Sequence, residues 1–376
     1  MRSDGSYERV VVETTDGVLP PTNSDEWLAS MPRGAYINAR TFGRDSIYQF
    51  DFHMQKLATS IESMREKEED EALEEEVMMK EGLLGGAVVG NRLVPSLTPP
   101  PTAADVESVV RPMMVSALTR YYRDEFPDHA GEIKLCIHVS WGDNPRTFAL
   151  PPMPPSHLAA HDLVVTCLAA PLALAPARPV VAALDGVGRD NAAAKDSTWA
   201  ATRLVQGDQG DPVEDEGVRV EERLLMDAKT GDVLEGASSN VFAVIGGEVY
   251  TAEEGVLQGS VRATVLEACA ENGVTVRLTP PPGGARGITK WDGAVISSTS
   301  RLAVPLDAVL VPRHALLLGE QGESTRDTSS DADVSSSSSP FVRVELDAGP
   351  DSLAAKIATW VEAKVGAASV KITDAL

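Results

Sequence analysis

Five prolines crowd the fourteen residues NPRTFALPPMPPSH, 144–157, and no other feature limits the fold as much. Proline offers no N–H to a ladder and clashes inside a helix. The apolar runs on either side, EIKLCIHVSW (132–141) and HDLVVTCLAA (161–170), must therefore end at this break, and their composition reads as strand. A chain of 376 residues is longer than one hydrophobic core usually sustains. We place a domain boundary in the break, giving a smaller N-terminal α/β domain at 1–152 and a larger C-terminal domain at 153–376.

In the first domain, GAYINARTF (34–42) reads as a strand and DFHMQKLATSIESMREK (51–67) as a helix. Phe52, Leu57, Ile61 and Met64 fall near one face of that helix, and Asp51 is the expected N-cap. The run EKEEDEALEEE (66–76) repels itself and lacks the spacing of a calcium loop. It reads as a solvated extension within an acidic insertion spanning about 62–102. A further helix is expected through Val106, Val110, Met114 and Leu118, with Pro112 forcing a kink or restart.

Beyond the break the texture changes to short strands and hairpins. RLLMDAKTGDVLEG (223–236) and NVFAVIGGEVYTA (240–252) each read as strand, turn, strand. SVRATVLEACAENGVTVRL (260–278) reads as a helix stopped at Asn272-Gly273, and DSLAAKIATWVEAKV (351–365) as a terminal helix. The Ser- and Asp-rich stretch at 318–340 has the composition of a disordered insertion.

A formal charge of -23 sets a field that repels nucleic acid and anionic membrane, and no apolar run is long enough to span a bilayer. Cys136, Cys167 and Cys269 show no paired spacing, two of them lying inside apolar runs, which reads as reduced core thiols. The histidines form no ligand pair, so no metal site is expected. The N-terminal residues have neither signal-peptide nor transit-peptide character; a cytoplasmic protein is expected.

Lys195 stands in GRDNAAAKDSTWAATR (188–203) among small residues, surroundings that permit a desolvated, nucleophilic amine. Glu235 ends a strand before small residues in VLEGASSNVF; a carboxylate there can pair with a protonated ring nitrogen, or be an ordinary hairpin residue. GVLQGSVRATVLEA puts Gly259 and Ser260 where a turn meets a helix, a junction suited to phosphate. SSTSR (297–301) is a second anion-friendly turn, or simply a turn. Arg40, Arg189, Arg203 and Arg301 carry the fork that matches a substrate carboxylate, although each has many acids available for a salt bridge.

Taken together, GAYINARTF with FHMQKLATSIESM, AAAKDSTW, the block from Glu235 to Val276 and VISSTSRLAVPL resemble the successive blocks of the class IV pyridoxal-phosphate aminotransferases. That family includes the branched-chain and D-amino-acid aminotransferases and aminodeoxychorismate lyase. AKDSTW with STSR is most similar to a less characterised aminotransferase-like branch. The resemblance implies the two-domain class IV fold, an α/β (α+β) architecture of a small α/β lobe and a larger lobe with a barrel-like sheet. It implies pyridoxal 5'-phosphate as cofactor, amino acid and 2-oxo acid substrates, and a homodimer. Lys195 is then the Schiff-base lysine and proton shuttle, and Glu235 the partner of the pyridine nitrogen. Ser260 and Val261 form one phosphate turn, Thr299 and Ser300 a second; of the four arginines, Arg40 and Arg301 lie in the matched blocks and are the preferred candidates for the substrate carboxylate. Two positions depart from the family pattern: Lys56 stands where arginine usually clamps phosphate, and Trp199 is the aromatic nearest Lys195 in sequence where the branched-chain enzymes have tyrosine. The same residues also admit a lyase of the aminodeoxychorismate type, and an acidic scaffold protein that keeps the fold without catalysis.

Overall fold

The computed structural model describes residues 10–11, 24–80, 100–141, 163–172, 178–189, 191–205, 219–313 and 340–374. The expected boundary at 152/153 and the Ser/Asp-rich stretch at 318–339 lie outside them, as do residues 81–99 of the acidic insertion. The chain divides into two units. One takes 1–173 together with 193–205 and 365–376; the other takes 174–192 and 206–364.

The first unit is built on a six-stranded antiparallel sheet of β1 (Val10–Val11), β2 (Ala35–Phe42), β3 (Ser46–Tyr48), β4 (Ile133–Trp141), β5 (Leu163–Pro171) and a late strand, Ser369–Lys371, in the order β1-β5-β4-β2-β3-late strand. The two apolar runs flanking the proline break pair along their whole length, Ile133 with Pro171 through Trp141 with Leu163. Period-two alternation turns Ala35, Ile37 and Ala39 of β2 toward the helices, where they share a core with Leu57, Ile61 and Met64 of α2 (Phe50–Lys80) and with Val106, Val110 and Met114 of α3 (Ala103–Thr119). Helix α1 (Ser24–Ser30) adds Trp27 and Leu28, and helix α4 (Thr198–Val205) adds Ala200, to a smaller cluster with Tyr36, Cys136 and Leu168.

Two expectations are corrected here and one is narrowed. Helix α2 begins at Phe50, after Gln49 in a left-handed conformation (φ 55°), so Asp51 lies in the first turn instead of capping it; a carboxylate there still meets the positive end of the dipole. The helix also continues through the acidic run to Lys80, because Glu, Ala and Leu are strong helix formers and the repulsion between neighbouring like charges on a helix is small. Finally, α3 passes through Pro112 without restarting. Its start is fixed by a capping box in which Thr102 Oγ1 accepts from Asp105 N and the Asp105 carboxylate accepts from Thr102 N.

The second unit is organised on a ten-stranded mixed sheet. Its strands in chain order are β6 (Val181–Val187), β7 (Val220–Met226), β8 (Val233–Gly236), β9 (Asn240–Ile245), β10 (Glu248–Tyr250), β11 (Val276–Arg277), β12 (Gly293–Ser298), β13 (Leu302–Pro305), β14 (Ala308–Pro312) and β15 (Phe341–Glu345). The hydrogen-bonded path runs β11-β10-β9-β8-β7-β6-β14-β15, and β12 joins it at β9. The expected hairpins are present. β9 and β10 turn at Gly246 and Gly247, both with positive φ (59° and 79°), which a two-residue hairpin turn of this hand requires. Helix α5 (Ser260–Glu271) ends at Asn272 and Gly273 (φ 70°) as expected, and the terminal helix is Leu353–Lys364.

All three cysteines are buried and free, and burial pushes their thiols up, to about 12 for Cys136 and about 11 for Cys269. Among the described residues no helix is long and apolar enough to cross a membrane.

Candidate active site

In the first unit, Lys195 sits in a short connection whose main chain is held from two sides. Its N–H donates to Ser60 Oγ of α2 at 3.1 Å, and its carbonyl accepts from Tyr36 N of β2 at 2.9 Å. Lys195 Nζ lies 5.1 Å from the centroid of the Tyr36 ring. The aromatic group beside the lysine is thus supplied by β2, which sequence proximity to Trp199 does not disclose. On β2, Tyr36, Asn38 and Arg40 alternate with the core-facing residues. Lys56 Nζ donates to Ala193 O at 2.8 Å, so the residue expected to clamp phosphate touches the loop that carries Lys195.

His53, on the same helix as Lys56 and Ser60, is buried. Burial, reinforced by the nearby charge of Lys195, lowers it from 6.5 to about 4. His138 is lowered to about 4 by burial as well, with its Nε2 2.9 Å from Pro32 O. Both imidazoles are therefore neutral at pH 7. The unfolded chain takes up these protons below about 6.5 and the folded one only near 4, so their contribution to stability is complete above 6.5, shrinks as pH falls, and is gone below about 4. Each accounts for up to about 3 kcal/mol of that loss. Urea unfolding at pH 7 and pH 4.5 should show the decline, and His53→Gln should remove its share; a pH-independent midpoint would contradict the neutral assignment.

In the second unit, Glu235 lies next to last in β8 and is 1% exposed. Its Oε1 accepts from Arg189 Nε at 2.9 Å and Nη2 at 2.6 Å, while Oε2 accepts from Leu257 N at 3.0 Å. A guanidinium fork and a main-chain N–H both favour the ionised carboxylate. Asn240, the first residue of β9, grips the loop that supplies this N–H: its Nδ2 donates to Leu257 O at 2.6 Å. A side chain on Gly259 would meet Asn240 Oδ1 at 2.5 Å, so this loop approaches β9 as closely as glycine allows. Gly259→Ala should cost about 1–3 kcal/mol through overpacking, read by urea unfolding; a variant as stable as the parent would show the contact to be dispensable.

Gly259 is also the N-cap of α5, and no side chain caps the helix there. Its first turn presents Ser260 and Val261. Ser260 Oγ lies 3.3 Å from Thr299 Oγ1, so the two turns expected to bind phosphate meet although they are 39 residues apart. In the second of them, Ser300 Oγ lies 3.5 Å from Ser298 Oγ, and Leu302 follows with φ 58°, a conformation that costs a non-glycine residue about 1 kcal/mol.

Arg301 anchors that turn. Its Nη1 donates to Glu221 O at 3.1 Å, and Nη2 to Glu222 Oε2 at 2.5 Å and Ser238 Oγ at 2.9 Å. Glu222 is buried and also accepts from the hydroxyls of Ser238 and Ser239 at 2.7 and 2.8 Å. Burial alone would raise its carboxyl, but the charge of Arg301 and the two hydroxyls outweigh this and hold it below the usual range. Glu222, Asn240 and the Arg189 pairing carry no local sequence signal, since each is defined by a partner distant along the chain.

Comparison with known proteins bears on the second unit first. Residues 214–309 match the model of the amino-transferase class IV family. No curated protein matches the chain at the level of sequence. Solved structures do resemble it along nearly its full length. A branched-chain aminotransferase from Thermoproteus uzoniensis, solved with norvaline, is 14% identical with a TM-score of 0.57, covering 97% of this chain and 100% of that one. A hypothetical aminotransferase from Mycobacterium tuberculosis in a PLP-bound form is 17% identical, TM-score 0.55, covering 96% and 99%. An aminotransferase from Brucella abortus bound to PLP is 14% identical, TM-score 0.54, covering 95% and 99%. At these identities the likeness is one of fold. The matched segment contains Glu235, Ser260, Val261, Thr299 and Ser300, and the fold of the chain is similar to that of these aminotransferase structures along nearly its full length.

Proposed function

We propose that the protein is a pyridoxal 5'-phosphate-dependent aminotransferase, moving an amino group between an amino acid and a 2-oxo acid, with Lys195 as its covalent lysine. The observation that carries this reading is the meeting of the Ser260 and Thr299 hydroxyls at the uncapped start of α5. Helix N–H groups and convergent hydroxyls form a donor set for a phosphate ester, and a carboxylate paired with Arg189 suits a protonated ring nitrogen. These residues fit the cofactor. Ser260, Val261, Thr299 and Ser300 would hold its phosphate, and Glu235 its ring nitrogen.

When bound, pyridoxal phosphate supplies an aldehyde for the lysine amine and a ring that spreads the electron pair left when the substrate α-carbon loses its proton. Lys195 Nζ takes that proton and returns it as general acid–base. Glu235 would hold the ring nitrogen in its protonated form, which would favour that spread of charge. The neutral ring of His53 keeps a second positive charge away from Lys195. For the substrate carboxylate, Arg40 stands on the same face of β2 as Tyr36, the residue beside Lys195. Arg301 would reach it only by yielding Glu222 and Ser238. A cytoplasmic homodimer completes the reading; sedimentation of the holoprotein as a dimer is the expected result.

The test is a scan of amino donors against pyruvate and 2-oxoglutarate, following product keto acid. Transamination requires the acceptor. Turnover without any acceptor would identify a lyase instead, and failure to bind pyridoxal phosphate would overturn the enzymatic reading.

A further inference from the structure

We propose that Arg33 is a positioning residue for Lys195 and acts through Asp196, an inference that rests on the reading of Lys195 as the cofactor lysine. The segment after Lys195 is stitched to the start of β2. Ser197 N donates to Gly34 O at 2.9 Å, Gly34 N donates to Ser197 Oγ at 3.1 Å, and Ala35 faces Asp196 in an antiparallel bridge. Between these bonds the Asp196 carboxylate is fully engaged. Oδ2 accepts from Arg33 Nε at 3.0 Å and Nη2 at 2.8 Å; Oδ1 accepts from the N–H and the hydroxyl of Thr198, both at 2.9 Å. Arg33 Nη1 in turn reaches Glu68 Oε1 of α2 at 3.1 Å.

Helix α2 therefore holds the lysine segment at three points. Lys56 takes the carbonyl of Ala193, Ser60 takes the N–H of Lys195, and Glu68 reaches Asp196 through the Arg33 guanidinium. Both main-chain polar groups of Lys195 are committed, to Ser60 and Tyr36. The side chain of the next residue is a further handle on its orientation. A fork that binds one carboxylate oxygen with two N–H groups fixes direction as well as distance, which lysine at position 33 would not. The Arg33–Asp196 pair is half-buried, at 22% and 13% side-chain exposure, so its part is geometric rather than a large term in stability.

The experiment compares the parent apoprotein with Arg33→Met, Asp196→Asn, the double variant and Arg33→Lys. Each is incubated with pyridoxal phosphate, reduced with borohydride to fix the new C–N bond, digested, and its labelled lysines quantified by mass. Labelling of Lys195 should fall about tenfold in each of the first two, since misplacement of about 1 Å can cost a reacting group that much or more. Labelling of the exposed Lys290 and Lys371 should not change. The double variant should lose no more than either single one, because the two residues act in series, and Arg33→Lys should recover only part of the loss. Unfolding curves establish that the compared proteins are folded; if Arg33→Met is not, Asp196→Asn, which keeps the size and hydrogen-bonding capacity, carries the comparison. Undiminished Lys195 labelling in the folded single variants, or a double loss equal to the product of the single ones, would overturn the proposal. Absence of Lys195 labelling in the parent would instead overturn the reading of Lys195 itself.

Discussion

Lys195→Ala protein is expected to bind pyridoxal phosphate weakly and to show none of the absorption of a lysine-linked cofactor, with turnover reduced by about 10²–10⁴-fold through loss of the proton shuttle alone. The substitution should leave the fold intact. The segment is held by main-chain bonds from Lys195 to Ser60 and Tyr36 and by the Asp196 contacts, none of which uses the Lys195 amine. Unfolding midpoints of variant and parent should therefore differ little, so that loss of turnover reports chemistry rather than collapse. A supplied small amine such as methylamine can accept and return a proton, and partial recovery with it would assign the lost function to Nζ. A variant that keeps the parent spectrum and rate would remove Lys195 from the mechanism.

The candidate residues differ in how far local sequence reveals them. Lys195, Ser260 and Thr299 stand at junctions marked by small residues, where the chain must turn, and a turn followed by a helix exposes N–H groups whatever the rest of the fold does. Their partners are another matter. Arg189 meets Glu235 across 46 residues, Arg301 meets Glu222 across 79, and Arg33 meets Asp196 across 163. A salt bridge between such positions follows from strand order, and strand order is fixed by the packing of whole sheets. In a chain with 56 acidic residues and 33 basic ones, composition cannot select which acid an arginine finds.

The elements themselves divide the same way. The hairpin at Gly246-Gly247 and the end of α5 at Asn272-Gly273 are local events and are legible, because positive φ at these positions is what the residues allow. The continuation of α2 to Lys80 is hidden by the acidic run, where intrinsic helix propensity and charge repulsion oppose each other and neither is large. The return of residues 365–376 to the first unit has no local mark. Its strand is only Ser369–Lys371, paired with β3, too short to carry a pattern.

Glu235 permits a sharper separation of structure from chemistry. Glu235→Ala would leave the Arg189 guanidinium without its carboxylate in a site where the two side chains are 9% and 2% exposed, and removing one partner of a buried pair costs about 3–5 kcal/mol. Loss of activity in that variant would therefore be ambiguous. Glu235→Gln keeps the shape and an acceptor oxygen for Leu257 N but removes the charge that a protonated ring nitrogen needs. A hydrogen bond to a charged group contributes about 1.5–3 kcal/mol, so turnover should fall about 10- to 100-fold beyond any change in folded fraction. The double substitution Glu235→Leu with Arg189→Met supplies the counterpart. Replacing both members of a buried pair by apolar groups is often neutral or stabilising, so this protein should recover stability over Glu235→Ala while remaining inactive. Recovery of activity along with stability would show that Glu235 serves the fold alone, and the ring nitrogen would then need another partner.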